Sequence, residues 1–480
     1  MAATMATMAT ATTAATVQQA YRFALDPTPR QQGRLASHTG ASRFAYNWGL
    51  ALVKARLDRR AAGEEDVAVL WSLPALRREW NRAKAEAAPW WNENSKESYS
   101  SGLDGLARGL KNWADSRHGR RKGRTVGFPR FKRKGRSRDA CRFTTGTIRV
   151  EPDRHHVTLP RLGRIKTHES TRRLARHLER GSGRILAATI SRTADRWYVS
   201  LTCQVERQLP VANGHTSTVG VDVGVQHLAV LSTGEQVENP RPLAQVQRKR
   251  RRLQRHWQRQ ERQRIAAGRT RPSRRQQQTR RRIAKVEARA AWIRRDGLHK
   301  LTSRLVCEHG TVVVEQLNVA GMVRNRRLAR TIVDAGFGQL RRLLGYKAAW
   351  RGARLVEADP FYSSSKTCSA CGVVKAKLHL SERVFRCEDP ACGLVLDRDL
   401  NAARNLAELV EDLDLSEIDN LEASNVAGSG PETQTARGAD VRPGLAGRTA
   451  TNREAGTSRM LGGTGTVGAQ APAARITDTP

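Results

Sequence analysis

The stretch CEDPACGLVLDRDLNAARN, residues 387–405, sets a cysteine pair directly against two aspartates. Such a cysteine pair is half of a small metal-held module, whereas carboxylates at a helix start either cap the helix or do chemistry. Both readings hold together only if a metal module ends where another fold resumes. Upstream, Cys368 and Cys371 complete the pattern Cys-x2-Cys-x15-Cys-x4-Cys with Cys387 and Cys392. Each pair is followed by glycine, Gly372 and Gly393, which allows a tight knuckle turn. Four thiolates so spaced specify a zinc ribbon with Zn–S distances of about 2.3 Å. An all-thiolate site is closed to a substrate water, so Zn²⁺ is expected to be structural, and the wider second pair only lengthens its loop. Of the two aspartates, a cap needs one; Asp397 is assigned to capping and Asp399 to chemistry.

Two further acids lie where acids are costly. Asp222 sits inside the apolar strand pattern of VGVDVG, and Glu315 ends TVVVEQL. A carboxylate in such a strand must be paired or must hold a cation. A strand Asp, a second-strand Glu and a helix-start Asp, in the order β-hairpin, β, α, β, α, match an RNase H-like nuclease arrangement. Phosphodiester cleavage by two Mg²⁺ ions about 3.5–4 Å apart needs carboxylates from separate elements. Hard oxygen ligands suit Mg²⁺, where thiolates would not.

The composition points to a polyanionic partner. Lys and Arg number 85 against 45 Asp and Glu, a net charge of +40. Arginine-rich charge of this kind suits nucleic acid, because the guanidinium fork binds phosphate bidentately. Residues 117–138, RHGRRKGRTVGFPRFKRKGRSR, hold eleven basic residues and no acid, and residues 241–290 hold nineteen against only Glu261 and Glu287. The second stretch keeps helical spacing, as two basic helices broken near Gly268–Ser273, with a separate helix at 292–309. Charge of that density repels itself unless a counter-ion such as RNA or DNA covers it. No run of eighteen apolar residues marks a transmembrane helix. The opening MAATMATMATATTAATVQQA has neither basic n-region nor Leu-rich core, so it is not a signal peptide and is expected to be disordered. The remaining cysteines, Cys141, Cys203 and Cys307, are scattered singly, as in a protein of a reducing, cytoplasmic compartment.

Taken in order, YRFALDPTPRQ, RFAYNWGL, VGFPRFKRKG, CRFTTG, GVDVGVQHLAV, DGLHKLTSRLV, VVVEQLNVAGM, DAGFGQLRRLLGYKAAWRG, FYSSSKTCSACG and DRDLNAARN resemble the TnpB (OrfB) family. That family comprises transposon-encoded RNA-guided DNA nucleases related to type V CRISPR effectors, and the resemblance covers about residues 20–406. It implies an α/β multidomain chain with a RuvC-type, RNase H-like domain whose catalytic, Mg²⁺-binding acids are Asp222, Glu315 and Asp399. It also implies a zinc ribbon inserted before the third acid, and an N-terminal wedge β-barrel interrupted by a helical recognition domain. The expected boundaries are a low-complexity start at 1–19, a wedge barrel at 20–45 and 126–210, and a recognition domain at 46–125. The nuclease domain spans 211–362 and 397–410, the ribbon 363–396, and a disordered tail 411–480.

Partners implied by the resemblance are a guide RNA from the element end and target double-stranded DNA, with no membrane. The protein would then associate with the nucleoid when bound to DNA. Tyr46, Asn47, Thr144 and Thr145 stand in motifs that in the family lie near the DNA motif beside the target. Arg130, Lys132, Arg250 and Arg251 stand in the basic stretches and are candidates for backbone binding. A relative that binds without cutting would be expected to lose an acid, and this chain keeps all three. A strand-transfer transposase would end its triad in Glu rather than Asp. A plain RNA-binding protein would leave Asp222 and Glu315 unexplained.

Overall fold

The computed structural model describes residues 12–410, apart from positions 65, 122 and 380. Seven strands form one antiparallel sheet: β1 (Thr12–Asp26), β2 (Ala140–Phe143), β3 (Arg149–Val150), β4 (His156–Leu159), β5 (Gly163–Thr167), β6 (Gly183–Thr193) and β7 (Arg196–Pro210). Their order is β2-β6-β7-β1-β5-β4-β3. Alternate side chains point inward, as the two-residue period of a strand requires. Tyr21, Phe23 and Leu25 of β1 meet Val199, Leu201, Cys203 and Val205 of β7, with Phe143, Val157 and Ile165 from the outer strands. The sheet thus curls around a single core. Among the described residues no ladder joins β2 to β3, so the barrel expected from the sequence stays open in its hydrogen bonding.

The low-complexity start, expected to be disordered through residue 19, is instead strand from Thr12 onward, paired with β7 from Thr12↔Pro210 to Leu25↔Trp197. Composition hid a pattern: Ala15, Val17, Gln19 and Tyr21 alternate inward with exposed neighbours, and Thr16 and Val17 are β-branched. A long partner strand supplies the hydrogen bonds that the small side chains cannot replace by packing.

Between β1 and β2 lie α1 (Pro29–Ala61), α2 (Leu73–Ala87) and α3 (Lys96–Arg117). Helix α1 starts in a capping box. The Thr28 hydroxyl accepts from Gln31 N at 3.3 Å, and Gln31 Oε1 accepts from Thr28 N at 3.0 Å, with Pro29 at the first helical position. The helical unit therefore begins at Pro29, inside the segment assigned to the wedge. Its core is Tyr46, Leu50, Leu76, Trp80, Tyr99, Leu103 and Leu106. Helix α4 (Arg172–Glu179) joins β5 to β6.

The second sheet holds β8 (Thr218–Asp222), β9 (His227–Leu231), β10 (Gln236–Glu238), β11 (Thr311–Glu315) and β12 (Arg354–Ala358) in the order β10-β9-β8-β11-β12. The first three strands are antiparallel, and β11 runs parallel to both β8 and β12. Parallel pairing needs crossovers. Helices α5 (Pro242–Ala266) and α6 (Arg274–Glu308) supply the first crossover. The second contains α7 (Val319–Met322), α8 (Ala329–Ala335) and α9 (Phe337–Arg351). The two basic helices thus break where the sequence indicates, but α6 absorbs the segment at 292–309, because nothing between Ser273 and Glu308 interrupts helical spacing. The start of α5 is capped from a distance: Leu243 N and Ala244 N donate to the Asp334 carboxylate at 3.0 and 3.2 Å.

Both faces of the central strands are covered. Val219, Val221, Val312 and Val314 pack against Leu298, Leu301 and Leu305 of α6 and Leu340 and Leu344 of α9. On the opposite face Val313 and Ala358 meet Leu406 of α10 (Arg398–Glu408). A two-stranded hairpin, β13 (Val384–Arg386) with β14 (Val395–Asp397), leads directly into α10. The expected tail at 411–480 lies outside the described residues, and no helix among the described ones is long and apolar enough to cross a membrane.

Candidate active site and metal centre

Asp222 closes β8 and Glu315 closes β11. These strands run parallel with Val221 opposite Val314, so the two acids end neighbouring strands on the face that α10 covers. Helix α10 reaches that face because residue 220 has no side chain. A Cβ on Gly220 would lie 1.9 Å from the Ala403 carbonyl oxygen and 2.6 Å from the Ala407 nitrogen. Glycine inside a strand often marks such a close backbone approach. The first turn of α10 then brings Asp399 toward the two strand-end acids.

The cap falls where the sequence reading placed it. Asp397 is the N-cap, its Oδ1 accepting from Asp399 N and Leu400 N at 3.0 Å each. Asp399 is left to face the site, where Arg398 Nη2 lies 3.0 Å and Arg383 Nη1 3.9 Å from its carboxylate. Ser364 Oγ donates to Glu315 Oε1 at 2.6 Å and fixes its rotamer. Asp222 feels the gathering most. Its pKa is pushed up to about 8, first by burial and then by the charges of Glu315 and Asp399. Three carboxylates of this kind are hard oxygen donors at one end of a sheet, the donor type that divalent cations take.

The four cysteines form a tighter cluster. Cys368 and Cys392 sulfurs are 3.7 Å apart, Cys371 and Cys387 sulfurs 3.5 Å, and all four lie within 4.8 Å of one another. A tetrahedron of Zn–S bonds near 2.3 Å has edges of about 3.8 Å, so the cluster fits a structural zinc. Gly372 and Gly393 take φ values of 75° and 60°, the left-handed turn expected after each pair. The four cysteines are the metal-ligand group that meets this closely among the described residues; the three acids are spread wider.

Two asparagines tie the cysteine module to the acids. Asn401 Nδ2 donates to Thr367 O at 2.6 Å while its Oδ1 accepts from Ser369 N at 3.0 Å. One turn on, Asn405 Nδ2 donates to Ser364 O and Thr367 O at 2.6 and 2.7 Å. Both side chains are fully buried. Sequence reasoning passed over Ser364, Asn401 and Asn405. The signal was present in the opening stretch, where Asn recurs at a four-residue helical interval on the face that Leu406 and Ala402 bury.

The candidate nucleic-acid residues are held largely by internal contacts. Tyr46 is buried, with Lys132 Nζ 3.7 Å from its ring centroid. Asn47 clamps the basic loop, donating to Lys132 O at 2.9 Å and accepting from Lys132 N at 2.8 Å. Burial, with Arg108 and Arg43 nearby, brings the Lys132 pKa down to about 8. Thr144 donates twice to Glu97, and Thr145 also hydrogen-bonds Glu97. Arg250 pairs with Glu287 at 2.7 Å, and Arg251 and Arg330 both donate to the Gln247 amide once that amide is turned to put its oxygen toward them. Arg130 is exposed. A second basic surface went unread: a recess of about 760 Å³ where the first sheet and α4 face helices α6 and α9, lined by Arg173, Arg176, Arg180, Arg207, Trp350 and Arg351.

A mixed five-stranded sheet of this order, with acids at two strand ends and at the facing helix, defines an RNase H-like fold of the RuvC type carrying a four-cysteine insertion. The chain belongs to the TnpB/OrfB transposase family, related to Cas12f-type nucleases. Residues 200–326 match the family model described as "Probable transposase", and 337–406 match "Cas12f1-like, TNB domain". Residues 15–61 match "Helix-turn-helix domain", although here they form one strand and one unbroken helix. A Mycobacterium tuberculosis (strain CDC 1551 / Oshkosh) protein named "Putative RNA-guided DNA endonuclease" is 42% identical over 82% of this chain and 86% of its own. A protein of the same description from Escherichia coli K12 is 30% identical over 81% and 91%. A cryo-EM structure of a Cas12f1–sgRNA–target DNA complex aligns with 14% identity and a TM-score of 0.42, covering 82% of this chain and 99% of that one.

Proposed function

We propose that the protein is an RNA-guided DNA endonuclease that holds a guide RNA, pairs it with double-stranded target DNA and hydrolyses phosphodiester bonds at Asp222, Glu315 and Asp399. The observation that carries this is the convergence of three carboxylates from β8, β11 and α10; burial first, and then the charges of Glu315 and Asp399, raise the Asp222 pKa to about 8. Such burial costs stability unless a cation balances it. Family membership and relatives named as RNA-guided DNA endonucleases support the guided activity. The arginine recess, with Arg207 stacked 4.5 Å from the Trp350 ring centroid, supports an RNA surface. Base pairing would supply sequence choice, while the protein reads backbone shape.

Divalent cations, Mg²⁺ in this proposal, would polarise the phosphate, lower the pKa of a bound water and stabilise the leaving oxygen. The chain's own residues prepare the place. Ser364 holds Glu315, and the Asp397 cap fixes the turn that presents Asp399. Arg383 and Arg398 lie beside Asp399 and offer positive charge to an incoming phosphate. Zinc takes no part in the chemistry; its module closes the loop between β12 and α10. Activity at DNA implies work in the cytoplasm, on the nucleoid.

The test is Mg²⁺-dependent cleavage by protein co-expressed with the 3′ end of its locus. The plasmid carries a guide-matched target beside a randomised flank, with Asp399→Ala as control. Cutting that requires guide match, flank and Asp399 is the expected result. RNA-dependent DNA binding without cutting would replace the nuclease with a binding-only reading.

A further inference from the structure

A cavity of about 290 Å³ opens beside the acids, and of the three carboxylates only Glu315 lines it. It lies past the ends of β8 and β11, the end of an α/β sheet at which ligands bind. Val223, Val314 and Leu340 give it apolar walls, and Phe337 lies at one side. The acids occupy the α10 face of the sheet, while the cavity opens toward α9. A polynucleotide crossing these strand ends with a phosphate at the acids would direct an adjoining base to the α9 side.

We propose that this cavity is a nucleobase subsite, taking the base of a nucleotide that flanks the phosphate held at Asp222, Glu315 and Asp399. The inference rests on the nuclease reading and deepens it. The volume lies at the lower edge of the ~300–1,000 Å³ typical of small-molecule sites, so one planar ring system suits it and a folded element does not. Apolar walls favour a ring over a phosphate or a sugar. Besides Glu315, two polar side chains stand at the cavity wall. Asn318 spends its Oδ1 on Gly321 N at 2.9 Å, which leaves its amide nitrogen to donate to a base edge. Arg341, held 3.4 Å from Glu357, is the cation in the lining and would offer its charge to a neighbouring phosphate.

Gly338 gives a clean way to close the cavity. It lines the space, and a Cβ built on it meets no atom within 4 Å. The Cβ of a leucine there has open space, and leucine suits helix α9 better than glycine does. Full-length Gly338→Leu protein is compared with wild type, each loaded with its RNA and bound to target. In one arm, 2-aminopurine is scanned position by position along the DNA strands without divalent cation. One position should change fluorescence on binding wild type and not on binding the variant. In the other arm, single-turnover cleavage is measured with an abasic site at that position.

The abasic substrate and Gly338→Leu should each slow cutting by about tenfold or more, the effect one base contact commands. The two together should cost no more than either alone. Equal cutting of all four combinations, with identical fluorescence scans, would overturn the subsite and leave the nuclease standing. If wild type does not cut at all, the nuclease reading falls. The fluorescence arm then decides the subsite by itself, for it if one base is enclosed only in wild type and against it if the scans coincide.

Discussion

Replacing Gly220 with alanine tests the central geometric claim, that one missing side chain lets α10 deliver Asp399. The added Cβ would stand 1.9 Å from Ala403 O, whereas ordinary C···O contacts lie at about 3.3–3.6 Å. Helix α10 must therefore retreat by about 1.5 Å, since both colliding atoms are backbone and no rotamer change relieves them. Functional constellations tolerate about 0.5 Å of error, and a 1 Å misplacement can cost about 100-fold in rate. Overpacking of this kind also costs about 1–3 kcal/mol. The expected result is a fall in cleavage rate of about 100-fold and a melting temperature lower by a few degrees, with guide RNA still co-purifying. Gly297→Ala is the control, because its Cβ meets no atom within 4 Å. Cleavage within threefold of wild type and unchanged melting would refute the claim that Gly220 sets the position of α10.

Three further outcomes are expected. Ser364→Ala should free the Glu315 side chain, slow cleavage by about tenfold and raise the Mg²⁺ concentration needed for half-maximal rate; a titration checks this, and an unchanged midpoint would remove Ser364 from the site. Cys371→Ser should abolish stoichiometric zinc by elemental analysis and, through the Asn401 and Asn405 contacts, cleavage as well; full activity after verified zinc loss would show the module to be dispensable. Lys132 titrates at about 8 in the folded chain against an ordinary 10.5, so between those values the unfolded chain binds more protons and its contribution makes stability rise with pH. Lys132→Met should remove that rise and raise the denaturation midpoint most below pH 8; parallel midpoints for both proteins from pH 7 to 10 would contradict it.

Much of this architecture was legible because its signals were local. The cysteine spacing, the acids set in apolar strand patterns and the break between two basic helices each follow from a short window, although Asp222, read as lying inside its strand, in fact ends β8. What stayed hidden depends on partners distant in sequence. Gly220 reads as a glycine beside an aspartate, and only the passage of α10 across it explains its absence of a side chain. Asn401 and Asn405 read as ordinary helix residues until the loop at 364–369 is laid against them. Tyr46 and Asn47 read as candidate nucleic-acid contacts, yet they spend themselves on Lys132, 85 residues away for Asn47. The strand at the start of the chain was missed because alanine and threonine report composition more loudly than alternation.

That first strand has a consequence for synthesis. β1 is complete at Asp26, but its partner β7 begins only at Arg196. At about 5–20 residues per second, β1 leaves the ribosome roughly 10–35 s before β7 is available to pair with it. Helices α1 to α3 can fold during the wait, since their core is drawn from nearby sequence. A waiting strand with two open edges is a hazard for aggregation. The dilute Ala-Thr-Gln composition of its first half keeps it poor in the apolar surface that would recruit a wrong partner. The low-complexity opening can thus be understood as a timing device, plain enough to stay unpaired and regular enough to zip when β7 arrives.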